Sequence, residues 1–414
     1  MFDHLCEKAP SAGIVAFKKQ QGIYESELKK DETDLLDRMD KGTPARAFLH
    51  NIDAYSDLIR TFDMMDCLDK GYRQLSNGQS RKLIILSQIT KGKSILIVQS
   101  PFDGLDPKSC HDLEKALDHL HKKGTTLILF LSNLMDIPAF CSHLGLISNA
   151  GIKIQGKKRD VFHLIKNQLF TQKADFRASA EDLIPHHPKL KRAQDTQELV
   201  CLTDGFAGFN GSIIFDKLSL TIQAGDHTLI SGPNGCGKST LVHLIIGDHP
   251  ACYQNRLRIF GKKRGSGESI WDIKKQMGIV SADLHRNYIV PGSVLHCVIS
   301  GFFDSIGIYR PHSEYHENMA RVWLKRIHLI KEANTPFRDL NFAGQRLVLI
   351  ARSLIKLPRI LILDEPTQGL DERNREAILN FFEDIAKKKI STIFYVSHRK
   401  DEFRDFFVQH IRMG

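Results

Sequence analysis

The fold of this 414-residue chain is decided by the stretch Gly232-Pro233-Asn234-Gly235-Cys236-Gly237-Lys238-Ser239. The stretch fits the pattern G-x-x-x-x-G-K-[ST] and lies between two apolar runs, as expected for a strand, a phosphate-binding loop (P-loop) and a helix. Its glycines allow several backbone N–H groups to face one anion, and the following helix adds its positive N-terminus. The sequence therefore predicts that the chain binds a nucleoside triphosphate.

Each part of this loop has an expected role. Lys238 is expected to reach the β- and γ-phosphates, and Ser239 is expected to hold Mg²⁺. The side chain of Cys236 is expected to be incidental, because the loop acts through its backbone N–H groups. The residues predicted to surround the nucleotide are Gly232, Pro233, Asn234, Gly235, Cys236, Gly237, Lys238, Ser239 and Thr240.

A second motif is the apolar run at 360–363, which is followed by Asp364 and Glu365. The run predicts a central parallel strand with both faces covered. At its end we expect Asp364 to hold Mg²⁺, directly or through water, and Glu365 to polarise the attacking water. His398 closes the next apolar run, where a contact with the γ-phosphate is expected. A lone histidine is more often structural, so this role depends on its placement.

These motifs together resemble an ABC ATPase cassette: the P-loop, the sequence ILILDEP, Gly369-Leu370-Asp371, and a strand that ends in His398. The family carries its signature, L-S-G-G-Q, shortly before the acidic strand. Here Leu340-Asn341-Phe342-Ala343-Gly344 occupies that place, with Asn341 for the serine and Ala343 for a glycine, so this signature is degraded. The resemblance implies an α/β fold of P-loop NTPase type, with a mainly parallel sheet and a helical subdomain in each cassette.

The chain also contains an internal repeat. A near-intact signature begins at Leu75, and it precedes Gln99 by the same 24 residues that separate Leu340 from Asp364 (99 − 75 and 364 − 340). The first copy has decayed at its chemical positions: it carries Gln99, Ser100 and Asn133 where the second copy has Asp364, Glu365 and His398. We therefore expect two copies of one cassette, of which only the second keeps its catalytic residues.

The first copy shows no P-loop in this sequence. By the same alignment, the partner of Lys238 would fall upstream of Met1, and we interpret this as a misassigned start codon or a truncated gene rather than a genuine half-cassette. The expected organisation is an incomplete, degenerate cassette at 1–167, a polar linker at 168–197, and a cassette with intact nucleotide motifs at 198–414.

Cassettes of this family pair head to tail, so that one P-loop and the other cassette's signature hold each nucleotide. The resemblance therefore implies one competent composite site, within the chain, between the second copy's P-loop and the first copy's signature. The signature residues expected to contact the nucleotide are Ser76, Asn77, Gly78 and Gln79. The alternative is pairing between two chains through the degraded signature at 340–344.

Two further positions are expected from the family resemblance. Phe209 lies where the family stacks an aromatic ring on the adenine, although a core role is nearly as well supported. The family also places a glutamine between P-loop and signature, where it touches Mg²⁺ and signals to the membrane subunit. Ser281, Ala282 and Asp283 occupy that place here, and this departure puts the coupling mechanism in doubt.

Composition is typical of a globular protein, with 42% hydrophobic and 26% charged residues. No run has the length of a membrane span and no N-terminal signal pattern is present, so we expect a cytoplasmic protein. The eight cysteines are scattered and indicate neither a metal site nor a disulfide framework. A net charge of +10 permits phosphate-rich partners without requiring them.

Three segments, 265–275, 300–309 and 101–106, resemble the fused two-cassette ATPase of the molybdenum-uptake group. This resemblance implies an ATP-hydrolysing subunit of an importer, at the inner face of the cell membrane, with a separate permease as its partner. Nucleic acid is not an expected partner, because the predicted linker is short and contains proline. The alternative is a non-transport ABC ATPase that acts as a cytosolic regulator or on the ribosome or nucleic acid.

Overall fold

The computed structural model describes residues 11–30, 42–75, 77–102, 105, 107–148, 151–171, 198–209, 212–281, 284–285 and 288–414. The chain divides into two compact units, Met1–Lys173 and Ala174–Gly414. The boundary falls inside the segment predicted as a linker. Within the described part of the chain, no helix is both long enough and apolar enough to cross a membrane.

The first unit is built around a small parallel sheet with the strand order β1-β2-β3. Its described strands are β1 (Gly13–Val15), β2 (Ile95–Gln99), β3 (Thr126–Phe130), β4 (His143–Ser148) and β5 (Gly151–Lys157), the last two forming an antiparallel hairpin. Its described helices are α1 (Phe17–Lys29), α2 (Ser56–Thr61), α3 (Asn77–Ile89), α4 (Pro107–Lys122) and α5 (Lys158–Thr171). One hydrophobic cluster joins β2 to the apolar faces of α3 and α4.

The second unit contains two sheets among its described residues. An antiparallel sheet has the order β10-β9-β6-β7, and a parallel sheet has the order β11-β12-β13-β8-β14. The strands are β6 (Glu198–Phe209), β7 (Ser212–Gln223), β8 (Thr228–Ser231), β9 (Arg256–Ile259), β10 (Lys262–Lys263), β11 (Met277–Val280), β12 (Ile360–Asp364), β13 (Thr392–Val396) and β14 (Gln409–Arg412). The helices are α6 (Lys238–Ile246), α7 (Ile270–Lys274), α8 (Val294–Ser300), α9 (Glu314–Arg326), α10 (Phe342–Leu354) and α11 (Glu372–Lys387).

The parallel sheet of the second unit is covered on both faces, as the apolar run before Asp364 predicts. Every residue of β12 is buried. Leu361 and Leu363 belong to a cluster that includes residues of α9, α10 and α11, whereas Ile360 and Ile362 belong to a second cluster with residues of α6 and the antiparallel sheet. Burial of each such side chain contributes roughly 1.5–3 kcal/mol, so the strand that carries the acidic pair is firmly held.

The internal repeat is confirmed in the pairing of the strands. Gly13 pairs with Leu96 in the first unit, and Gly278 pairs with Leu361 in the second, so both partners are offset by 265 residues (278 − 13 and 361 − 96). The helices that follow the two signatures, α3 and α10, begin at Asn77 and Phe342 with the same offset (342 − 77). The two units therefore share one local architecture, and the α/β expectation is confirmed.

The third strand departs from this constant offset, which corrects one assignment made from spacing. Gln99 pairs with Phe130, and Asp364 pairs with Val396, an offset of 266 (396 − 130). The register consequently places Ser132, and not Asn133, at the position that corresponds to His398. The physical reason is the connection before the strand, which spans 123–125 in the first unit and 388–391 in the second.

Candidate functional site

The glycine-rich loop of the second unit adopts backbone conformations that favour glycine. Gly235 and Gly237 have φ angles of 83° and 97°, in the left-handed region. A Cβ on Gly237 would lie 2.6 Å from Cγ2 of Ile214, so a larger residue would clash as well as strain the backbone. The helix α6 begins at the next residue, which directs its N-terminal N–H groups toward the loop. The loop can therefore cradle an anion, as the sequence predicts.

Lys238 lies inside this loop. Its Nζ donates to the carbonyl oxygens of Gly232 and Pro233, at 2.9 and 2.8 Å, and the residue is buried. Ser239 is exposed and Thr240 is half-buried in the first turn of α6. The ammonium is thus held at the position where phosphate oxygens would enter the loop.

The acidic pair and the histidine lie at the same edge of the parallel sheet as this loop. The strands β12, β13 and β8 are neighbours, and the pairs Asp364↔Val396 and Val396↔Ile230 align their carboxyl ends. The backbone N–H of Ser397 donates to the carbonyl of Ile230 at 3.0 Å. Because parallel strands end at one edge, residues far apart in sequence meet here.

Glu365 and His398 contact each other directly. Oε1 of Glu365 and Nδ1 of His398 are 2.8 Å apart, and both side chains are largely buried, at 19% and 10% exposure. Glu365 has a φ of 50°, and its N–H donates to the carbonyl of Val396 at 3.0 Å. The strained backbone turns its side chain out of the strand, which is typical of functional positions. The predicted pair is therefore brought together.

Asp364 and Ser239 offer the kind of ligands that Mg²⁺ prefers. The carboxylate of Asp364 is buried at the end of β12, and Ser239 presents a hydroxyl in the first turn of α6. Hard oxygen ligands of this type fit Mg²⁺, which usually keeps water and substrate phosphates as further ligands. No group of three or more His, Cys, Asp or Glu residues able to hold a metal is present in the part of the chain that the structure describes. The residues fit a magnesium ion held jointly with a phosphate.

Arg346 is a contributor to the site that sequence reasoning did not assign. The residue is fully buried, and burial lowers the pKa of its guanidinium to about 10. It donates to the carbonyls of Ser281 and Pro366, both at 3.0 Å, and to the carbonyl of Glu365. The side chain therefore ties α10 to the turn after the acidic pair and to the end of β11.

The internal repeat carries an arginine at the same position in both copies, which could have indicated a structural role for Arg346. Arg81 lies six residues after the first signature's leucine, as Arg346 does in the second copy, and its Nη1 donates to the carbonyl of Ser100 at 2.6 Å. Ser100 has a φ of 45°, close to that of Glu365 at the corresponding position. The same arginine-supported turn is thus present in both units, although only one carries a carboxylate.

The degraded signature of the second unit has a defined local structure. The side chain of Asn341 caps α10 by accepting the N–H of Gly344 at 2.7 Å. Oε1 of Gln345 contacts Nε2 of His285 at 2.8 Å, and burial lowers the pKa of that imidazole to about 4. Asparagine is as good a helix cap as serine, so the substitution preserves the start of the helix.

Several of the predicted site residues, or their side chains, lie outside the part of the chain that the structure describes. Ser76, Ala282 and Asp283 lie outside the described residues, as do the side chains of Asn77 and Phe209. The backbone of Phe209 ends β6, paired with Ser212 of β7. Gly78 and Gln79 are half-buried in the first turn of α3. These nucleotide contacts therefore stay predictions.

Comparison with known proteins agrees with this geometry. A family model described as ABC transporter matches residues 215–368. The ABC transporter ATP-binding protein ModF of Escherichia coli (strain K12) is 35% identical over 398 residues, which cover 94% of this chain and 81% of ModF. An uncharacterised ABC transporter ATP-binding protein of Saccharomyces cerevisiae is 27% identical over 85% of this chain and 70% of its own length.

Solved structures show the likeness of the fold. The chain is similar to a structure of the archaeal ribosome recycling factor aABCE1 in complex with the ribosomal stalk protein aP1, with a TM-score of 0.55 and 16% identity, over 89% of this chain and 68% of that one. At this identity the match shows the fold alone. Taken with the near-complete alignment to ModF, the P-loop and the acidic strand show that the chain belongs to the ABC ATPase family, as a member with two cassettes in tandem.

Proposed function

We propose that the second cassette binds ATP with Mg²⁺ and hydrolyses it, and that this hydrolysis drives an importer through a separate membrane permease. The observation that supports hydrolysis best is the contact between Glu365 and His398 at the sheet edge that also carries the P-loop. A carboxylate placed beside an imidazole, next to a phosphate cradle, can orient an attacking water.

The proposed roles follow from the position of each group. Lys238 neutralises the β- and γ-phosphates from inside the loop. Ser239 and Asp364 would hold Mg²⁺, which supplies charge neutralisation on the phosphate oxygens. Glu365 accepts a hydrogen bond from the attacking water, and His398 holds Glu365 while facing the γ-phosphate. Removing the carboxylate should abolish turnover and leave nucleotide binding intact.

The signature that completes the site remains a proposal from sequence. The near-intact copy contains Ser76 and Gly78, and hydroxyl and N–H donors of that kind would stabilise charge on the γ-phosphate in the transition state. Ser76→Ala is expected to reduce turnover, with Ser80→Ala, four residues further along the chain and within α3, as the control. A Ser76→Ala variant with the full rate of the parent would instead favour pairing between second cassettes through 340–344.

For the transport role, we propose an oxyanion of molybdenum as the cargo and the inner face of the cell membrane as the location. The support is the similarity to ModF over nearly the whole chain and the segments at 265–275 and 300–309. The test is molybdate accumulation in cells that carry the parent chain or the Glu365→Gln variant in place of the native gene. Equal accumulation in the two strains would reject this cargo.

A second candidate function is a non-transport ABC ATPase acting as a regulator or on the ribosome. The regulator is favoured by one observation, the second signature in which Asn341 and Ala343 replace the family's residues, because a degraded signature fits slow turnover. The side-chain oxygen of Asn341 already caps its own helix, accepting the N–H of Gly344. Cosedimentation with ribosomes that depends on ATP, and no effect on molybdate accumulation, would support this function over transport.

A further inference from the structure

A buried carboxylate lies next to the site and is not among the residues proposed to bind or hydrolyse ATP. Glu402 lies in the turn after His398 and is only 1% exposed. Its Oε2 accepts hydrogen bonds from the hydroxyls of Ser397, at 2.6 Å, and Tyr395, at 3.0 Å. Its Oε1 accepts a hydrogen bond from the hydroxyl of Thr367. Three hydroxyls from three separate positions therefore converge on one carboxylate.

The charge of this carboxylate is balanced by nearby guanidinium groups. Arg399 lies 3.9 Å from Oε1 of Glu402. Arg375 is buried and pairs with Asp401 at 2.9 Å, and Asp401 also pairs with Arg399. A buried carboxylate is tolerated only where hydrogen bonds and opposite charges compensate its loss of hydration. Both kinds of compensation are present around Glu402, so the group is built into the fold.

Two of the three hydroxyl partners of Glu402 belong to the loops that carry the proposed catalytic residues, and the third, Tyr395, lies in β13. Thr367 lies two residues after Glu365, and Ser397 lies one residue before His398. Because the two carboxylate oxygens bind different loops, Glu402 fixes one loop relative to the other. On the basis of the proposed ATP hydrolysis, we propose that Glu402 is a positioning residue that holds Glu365 and His398 in hydrogen-bonding contact.

The first unit supplies an internal comparison. The carbonyl oxygens of Pro101 and Pro366 accept hydrogen bonds from the corresponding arginines, Arg81 and Arg346. The next residue in each unit therefore corresponds, and Phe102 occupies the position of Thr367. The register of the third strand places two leucines at the positions of the other two hydroxyls, namely Leu129 for Tyr395 and Leu131 for Ser397. All three hydroxyls are therefore replaced by apolar side chains in the unit that also carries Ser100 in place of Glu365.

The first unit shows whether the hydroxyls around the carboxylate are needed for the local fold or only for the placement of the proposed catalytic residues. The first unit forms the same three parallel strands and the same arginine-supported turn without these hydroxyls. The three hydroxyls are therefore not required by the local fold, and they accompany the residues proposed to act on ATP. The first unit keeps a shorter carboxylate, Asp136, at the position of Glu402, where it accepts a hydrogen bond from Nδ2 of Asn133 at 2.8 Å. Small displacements of reacting groups are costly, since a shift of about 1 Å can reduce a rate by about a hundredfold.

The test compares Glu402→Gln and Thr367→Val with Glu268→Gln in the full chain. Glu268 is a matched control, because its buried carboxylate accepts from Arg264 at 2.6 Å and from the N–H groups of Gly265 and Ser266, away from the sheet edge. The measurements are kcat, the Kd for Mg-ATP, and the imidazole ¹⁵N resonance of Nδ1 in His398, assigned with His398→Ala.

We expect Glu402→Gln and Thr367→Val to lower kcat by about tenfold or more, with an unchanged Kd and a shifted His398 resonance. Glu268→Gln should change none of the three. In the His398→Ala background, Glu402→Gln should have little further effect, because residues that act as a unit are not additive. Thr367→Val keeps the inference testable if Glu402→Gln fails to fold.

The outcomes separate this inference from the proposed hydrolysis. If the parent does not hydrolyse ATP but Glu402→Gln still shifts the His398 resonance, the positioning inference stands and the proposed function fails. If folded Glu402→Gln and Thr367→Val keep the kcat and the His398 resonance of an active parent, the inference is overturned. The inference would also be overturned if Glu268→Gln lowered kcat as much as Glu402→Gln does and its effect added to that of His398→Ala, since a general structural role would then explain the loss of kcat.

Discussion

Nδ1 of His398 lies 2.8 Å from Oε1 of Glu365, across the ends of two neighbouring parallel strands. The two residues are 33 positions apart in sequence and belong to loops that also contact Glu402. An imidazole in this place can hold the carboxylate in one orientation and offer its other face to a phosphate. The contact therefore joins the carboxylate proposed to orient the attacking water to the loop proposed to contact the γ-phosphate.

Replacement of His398 tests how much this residue contributes to the rate of ATP hydrolysis. We expect His398→Ala to reduce kcat by about a hundredfold, within the range of general acid–base effects, while the Kd for Mg-ATP stays close to that of the parent. Steady-state ATPase and equilibrium nucleotide binding measure the two quantities. His296→Ala, at an exposed position, is the control. An unchanged kcat for His398→Ala would show that the contact is structural.

Lys238→Ala is expected to weaken nucleotide binding rather than catalysis alone. Its ammonium is held by the carbonyls of Gly232 and Pro233 inside the loop, where it would neutralise phosphate charge. Titration with a fluorescent ATP analogue should show a Kd increased by about tenfold or more, since one lost charge-assisted contact is worth about 1.5–3 kcal/mol. Lys262→Ala, on an exposed strand, should bind as the parent does; equal binding by both variants would remove Lys238 from the site.

Arg346→Met is expected to lower the free energy of unfolding of the second unit by about 3 kcal/mol. The buried carbonyls of Ser281 and Pro366 would lose their donor, and each unsatisfied group costs roughly 1–3 kcal/mol. Chemical denaturation followed by Trp323 fluorescence, from a residue buried in the same unit, reports the change. Arg321→Met, on α9 with a side chain that is 43% exposed, should be nearly neutral. A comparable loss of stability there would contradict the assigned role of Arg346.

His285 should make stability depend on pH. Burial, assisted by the nearby charge of Arg346, lowers the pKa of this imidazole to about 4, whereas an unfolded histidine titrates near 6.5. Between these values the unfolded chain binds more protons, so stability falls as pH falls. We expect the parent to lose about 2 kcal/mol from this residue between pH 7 and pH 5.

The control for this prediction replaces the imidazole with a side chain that does not titrate. His285→Asn should reduce the dependence of the urea midpoint on pH over this range, and His296→Asn, a substitution at an exposed position, is the control. If the urea midpoints of the parent and of His285→Asn depended equally on pH, His285 would be protonated equally well in the folded and the unfolded chain.

The sequence was sufficient for those parts of the site that lie at the ends of strongly apolar strands. The P-loop, Asp364, Glu365 and His398 were predicted because parallel strands end at one edge, whatever their separation in sequence. The repeat was also predictable, since its intervals are nearly constant. The register of the third strand was not, because the loss of one residue in the connection at 123–125 leaves the signature spacing unchanged.

The remaining contributors could not be predicted because their partners are defined only by the fold. Arg346 binds backbone carbonyls, which carry no sequence signal. Glu402 binds hydroxyls that come from residues as far as 35 positions away. His285 acquires its low pKa from burial against α10, which no local pattern reveals. Polar networks of this kind are specified by packing rather than by periodicity.

Hydrolysis of ATP at the second cassette is measured directly by the Mg²⁺-dependent ATPase rate of the purified chain beside that of Glu365→Gln. We expect a measurable rate for the parent, a rate lower by about a hundredfold or more for the variant, and equal ATP binding by both. A parent that binds ATP without hydrolysing it, or a Glu365→Gln variant as active as the parent, would show that the second cassette does not hydrolyse ATP in this way.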